Sequence, residues 1–153
     1  MDFLNSLGLF LQTSIQYGTS ILFAIVGGII CEKVGNTNLG IEGMMLMGAA
    51  VGFQTACLTS NPVVAVLCAG VAGLVGALIY AFITITLRGN QVVTGLVLTI
   101  FGTGVAGFIG SMEMTEGVKY SSLTVPTEVR SAFAAYDIPV LCDIPVLGHA
   151  LFS

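Results

Sequence analysis

"VVAVLCAGVAGLVGALIYAFITITL", Val63–Leu87, decides the fold, because 25 residues pass without one charged side chain. A helix that spans a bilayer takes about 20 predominantly apolar residues. At a rise of about 1.5 Å per residue this run crosses with some tilt. The remainder of the chain agrees. Of 153 residues, 56% are hydrophobic and 8% charged, and the mean hydropathy is +1.01. A soluble domain carries roughly 25% charged residues. Four basic and eight acidic side chains cannot clothe a water-soluble globule of this size. A net charge of −4 and a pI near 4.5 exclude nucleic acid as a partner, since that calls for a basic face.

Three more spans flank the first, so that the set covers about residues 15–31, 41–58, 63–87 and 92–112. The earliest extends back through "LGLFLQTSIQ" (Leu7–Gln16) into one long or broken helix. The connections "EKVGNTNLG" (Glu32–Gly40), "TSNP" (Thr59–Pro62) and "RGNQ" (Arg88–Gln91) carry the Gly, Asn and Pro that stop helices. The fold class is therefore an all-α membrane protein. Residues 1–112 form a bundle of about four transmembrane helices, with a break in the helical run near residues 31–42. Residues 113–153 read as a polar extracytoplasmic loop, because Pro126, Pro139, Pro145 and alternating charges forbid a continuous apolar helix there.

Lys33 and Arg88 fall in alternate connections and so share a side. Basic residues near span ends favour the cytoplasm, which puts the N-terminus and the acidic tail outside. The N-terminus "MDF" lacks the basic region of a cleavable signal peptide. Cys31, Cys57, Cys68 and Cys142 show no CxxC spacing and read as small apolar packing residues. His149 is the lone histidine, near the C-terminus, and no HExxH or GxSxG occurs. Neither a catalytic residue nor a metal site is expected.

Small residues recur at helical spacing. Gly48 and Gly52 make a GxxxG, Gly73 and Gly76 share a side of the third span with Ala69 and Tyr80, and the fourth carries Gly95, Gly102, Gly104, Gly107 and Gly110. In lipid, small residues drive helix association by letting backbones approach. Gly48, Gly52, Gly73 and Gly76 are thus expected to pack helices together.

"NTNLGIEGMMLMG" (Asn36–Gly48) raises a different question, because Glu42 stands at the mouth of an apolar run. Removing a carboxylate from water is costly. One reading places Glu42 in the first turn of a helix, where the macrodipole favours negative charge. The other makes it part of a polar site at a helix break, with Asn36, Thr37, Asn38, Gly40 and Gly43 supplying irregular backbone and hydrogen-bonding groups. Irregular backbone at membrane depth is tolerated only against protein or a water-filled cavity, and such breaks mark transport pathways. "RGNQVVTG" poses the same alternative, with Asn90, Gln91 and Thr94 opening the fourth span.

These stretches resemble a known family. "GGIICEKVGNTNLGIEGMMLMGA" (Gly27–Ala49), "LRGNQVVTGLVLTIFGTG" (Leu87–Gly104) and "YDIPVLCDIPVLGHALF" (Tyr136–Phe152) resemble, in order and spacing, three landmarks of ABC importer inner-membrane permeases. The branch is that for nucleosides and simple sugars, related to the ribose-type and branched-chain amino acid permeases. Lys33 stands where the family usually has Arg, and Thr99 where Asn is common. Family chains are roughly twice this long, so the sequence resembles an N-terminal half that stops where the family continues through further helices and a coupling segment. The resemblance implies a multi-pass protein of the bacterial inner (plasma) membrane that makes no covalent change in its substrate and binds no cofactor. A partner cytoplasmic ABC ATPase uses ATP, a second permease subunit completes the pathway, an extracytoplasmic binding protein delivers the small-molecule substrate, and membrane lipid surrounds the helices. Asn36, Asn38, Glu42, Asn90, Gln91 and Thr94 would line or shape the pathway. Two alternatives remain at this stage: a small four-helix proton-coupled transporter using Glu42, and a non-transporting structural membrane subunit.

Overall fold

A computed structural model describes residues 2–115 and 117–133. The Tyr136–Phe152 landmark, with Cys142 and His149, lies outside the described residues. In chain order the elements are α1 (Asp2–Lys33), α2 (Ile41–Thr59), α3 (Pro62–Ala81) continuing into a π-helical turn (Phe82–Thr86), and α4 (Gln91–Ser111). A two-stranded hairpin follows, β1 (Glu113–Thr115) with β2 (Val118–Lys119), then a 3-10 turn and the short α5 (Thr127–Ala132). Four helical stretches are long and apolar enough to cross a membrane: Ser6–Lys33, Ile41–Thr59, Pro62–Thr86 and Gln91–Ser111. The chain is an all-α membrane protein.

The chain divides into two compact units, residues 1–26 with 133–153, and Gly27–Ala132. In the first, the described structure is the helix from Asp2 to Val26. Helix α1 starts well before the apolar run near residue 15, since its early polar groups do not break a helix. Ser14 and Thr19 turn their hydroxyls onto the carbonyls of Phe10 and Ile15, each at 2.8 Å, so these groups need no water.

In the second unit α2 is central. It packs against both α3 and α4, which touch each other far less. Helices α2 and α3 run antiparallel. A Cβ built on Gly52 would meet the Ala69 methyl at 2.9 Å, and one on Gly48 the Ala69 carbonyl oxygen at 3.1 Å. Towards the other end of α3, Gly73 and Gly76 face Met44, with their Cβ positions 3.8 Å from its carbonyl oxygen and 3.1 Å from its Cγ. Helices α2 and α4 run parallel and approach more closely. A Cβ on Gly43 would lie 2.5 Å from the Leu98 carbonyl oxygen, one on Gly95 2.8 Å from Gly40 N, and one on Gly102 2.7 Å from both Cα and C of Gly43. Carbon atoms prefer separations of about 3.5–4.0 Å, so this crossing is backbone against backbone and only glycine permits it.

The helix ends follow from local chemistry. Helix α1 closes with a Schellman turn: Asn36 N donates to Cys31 O at 3.0 Å and Gly35 N to Glu32 O at 2.9 Å. Gly35 takes the left-handed φ of 77° that the motif requires. Asn61 caps α3 through Val63 N, with Pro62 in the first turn. Asn90 caps α4 through Val93 N at 3.1 Å. After α4 the hairpin turns at Gly117, φ 82°, and α5 brings Val129 into a buried cluster with Ala56 and Ala65. The described part of the polar segment therefore packs over the bundle end where α2 finishes and α3 begins. Lys33, in the last turn of α1, and Arg88, between the π-turn and α4, sit at the opposite end.

Candidate site at the α1–α2 break

Seven residues, Val34–Gly40, separate α1 from α2 and adopt no helix. Their unmet backbone groups are answered from two other helices. Gln91 Oε1 accepts from Thr37 N at 2.9 Å. The Tyr80 hydroxyl lies 2.9 Å from both Asn36 Oδ1 and the Thr37 carbonyl oxygen and shares its one proton between them. Thr99 Oγ1 donates to the Leu39 carbonyl at 3.0 Å, and Asn38 Oδ1 accepts from Gly40 N at 2.8 Å. Among the described residues no buried side-chain N or O lacks a partner.

These contacts set the depth of the break. Tyr80 precedes the end of the π-turn at Thr86 by six residues, roughly 9 Å along the axis, and Thr99 follows the start of α4 at Gln91 by eight residues, roughly 12 Å. The chain thus dips into the bundle, and α2 starts inside it rather than level with its neighbours. Close passage of Gly40 by Gly95 is what makes room.

Each of the six sequence-derived residues now has a place. Asn36, Asn38 and Gln91 meet around the break. Each uses its side-chain oxygen there, which leaves the amide NH₂ donors of all three without a partner among the described residues. Asn90 caps α4, and Thr94 returns its hydroxyl to Asn90 O at 2.8 Å. Glu42 occupies the first turn of α2. Its side chain is exposed and has no partner among the described residues, at a level below the ends of α3 and α4. Tyr80 and Thr99 were missed as site residues. The available signal was a tyrosine hydroxyl inside an apolar run, which needs a partner once buried; Tyr80 is 3% exposed.

A groove of about 380 Å³ opens between α3 and α4 beside the break, lined by Ile79, Tyr80, Ile83, Val97, Leu98 and Phe101 among others. Because Thr94 spends its hydroxyl on its own helix, this groove is apolar and does not suit a ligand rich in hydroxyls. The break differs, because the side-chain amide NH₂ groups of Asn36, Asn38 and Gln91 have no partner among the described residues.

The family model described as branched-chain amino acid transport system / permease component matches residues 10–147. The chain is 35% identical over 143 residues to a protein of Haloferax volcanii named "Putative glucose ABC transporter permease protein", a match covering 93% of this chain and 41% of that one. It is 28% identical to a guanosine ABC transporter permease protein of Bacillus subtilis and 24% identical to a nucleoside ABC transporter permease protein of Lactococcus lactis subsp. cremoris. Each of these two matches covers all of this chain and 48% of the relative. The chain thus spans less than half the length of these relatives. No solved structure matches it.

Proposed function

Because this chain belongs to the family of branched-chain amino acid transport system permease components, we propose that it forms part of the translocation pathway of an ATP-driven importer for nucleosides or simple sugars. The observation that carries this reading is the re-entrant Val34–Gly40 segment, held inside the bundle by Tyr80, Gln91 and Thr99. Non-helical backbone at such depth is expected where it lines a polar route. Asn36, Asn38 and Gln91 direct amide donors there, Glu42 adds a carboxylate, and Asn90 and Thr94 fix the start of α4. The relatives named for nucleosides and glucose support an uncharged substrate with several hydroxyls. A polar site of this kind discriminates because the wrong ligand displaces water and leaves these groups unpaired.

On this reading the chain performs no covalent chemistry and binds no cofactor. A cytoplasmic ABC ATPase uses ATP, a second permease subunit faces this one, and an extracytoplasmic binding protein hands over the substrate. The site is the inner membrane, with Lys33 and Arg88 cytoplasmic and α5 outside. The family assignment favours this importer over a small proton-coupled transporter built on Glu42. The test is uptake of labelled guanosine and glucose by cells carrying the complete importer, with and without an intact ATPase. Uptake of neither, or uptake that follows a pH gradient and ignores the ATPase, overturns the proposal.

A further inference from the structure

Two side chains outside the candidate set, Tyr80 and Thr99, bond to the break. We propose that Tyr80 and Thr99 are positioning residues which set the conformation of the Asn36–Gly40 segment and thereby the substrate affinity of the pathway; this rests on the transport reading above.

The geometry singles out Thr37. Its N–H is held from α4 by Gln91 and its C=O from α3 by Tyr80, both at 2.9 Å. Helices α3 and α4 scarcely touch each other directly, so this one residue ties them together at the break. Two residues on, Thr99 holds the Leu39 carbonyl. Neither hydroxyl is aimed at an open surface: Tyr80 is 3% exposed, and Thr99 divides its bonding between Leu39 O at 3.0 Å and Gly95 O of its own helix at 3.2 Å. They act through the segment they grip. If Tyr80 loses its hydroxyl, the Thr37 peptide is held from one side only, and the amide donors of Asn36 and Asn38 lose their fixed direction. The π-helical turn begins two residues after Tyr80, and Thr84 donates to Tyr80 O at 2.8 Å. The turn of α3 that carries the phenol is therefore itself braced.

The experiment compares Tyr80→Phe, Thr99→Val and Thr99→Ser in the complete importer, at matched membrane abundance. Uptake kinetics and amide exchange over residues 36–40 are read together. Losing one hydrogen bond that orders a binding segment corresponds to about tenfold in an equilibrium constant. Tyr80→Phe and Thr99→Val should therefore raise KM by about that factor, leave the maximal rate per copy within about twofold, and speed exchange of the segment. Thr99→Ser, which keeps the hydroxyl, should restore wild-type values. Unchanged KM in both hydroxyl-deletion variants overturns the proposal, whether or not exchange accelerates. Equal damage from Thr99→Ser and Thr99→Val overturns it too, because the methyl rather than the hydroxyl would then matter. Wild-type importer that moves no nucleoside or sugar would refute the transport reading alone, and slow exchange persisting in both deletion variants would then refute the positioning.

Discussion

Gly102→Ala should separate the two parallel helices and is the sharpest test of how the bundle is held together. The added methyl would stand 2.7 Å from both Cα and C of Gly43, and closer still to its carbonyl oxygen. Carbon contacts settle at about 3.5–4.0 Å, so α2 and α4 must part by roughly 1 Å. No side chain can swing aside, since every atom in the way is backbone. Overpacking of this kind costs about 1–3 kcal/mol. The same movement stretches the Thr99–Leu39 hydrogen bond, now 3.0 Å, whose loss adds about 1 kcal/mol. The expected destabilisation is thus about 2–4 kcal/mol. Gly104→Ala is the matched control, on the same helix with nothing within 4 Å of the new methyl. Unfolding of both variants in detergent, by heat or by SDS titration, reports the difference. Equal midpoints for Gly102→Ala and Gly104→Ala would refute the backbone-to-backbone crossing.

Further expectations concern charge, the helix cap and orientation. In a complete importer, Glu42→Leu should abolish uptake while Glu42→Gln is milder, because Gln keeps the shape and a polar end that can bond to substrate; full uptake by the Leu variant at normal abundance would leave Glu42 as a helix-start residue only. Gly35→Ala should cost about 1 kcal/mol by forcing a methyl into the left-handed cap at φ 77°, and an unshifted unfolding midpoint would count against the Schellman turn. Val129→Asp should loosen α5 from Ala56 and Ala65, seen as faster proteolysis within residues 117–133; unaltered cleavage would mean that α5 does not pack there. In a cysteine-free background, Val34→Cys should label from the cytoplasm and Arg130→Cys from outside, and the reverse pattern would invert the proposed orientation.

Much of the polar site was legible one residue at a time. Asn36, Asn38 and Gln91 stood out because amides are expensive in an apolar chain unless they have work to do. What they bond to was not legible. Thr37 and Gln91 are far apart in sequence, as are Tyr80 and Asn36, and no local pattern announces such pairs. Asn90 and Thr94, read as pathway groups, turn their side-chain oxygens to the start of α4. The glycines tell the same story. Gly48 and Gly52 form a recognisable GxxxG, whereas Gly43, Gly95 and Gly102, which meet backbone most closely, belong to no shared motif because their spacing is divided between two helices.

The amino-acid sequence by itself determined that this is a membrane protein with four apolar helices and where they stop. Span length, charge density, and capping Asn, Pro and Gly are local quantities, and lipid admits few alternatives to a helix whose backbone is satisfied internally. Only the tertiary structure decided that α2 starts inside the bundle, that Thr37 is gripped from α3 and α4 at once, and that Glu42 has no partner among the described residues. Those outcomes depend on which helix faces answer one another, and an apolar run carries no record of its facing partner until close contact and unmet peptide groups select it.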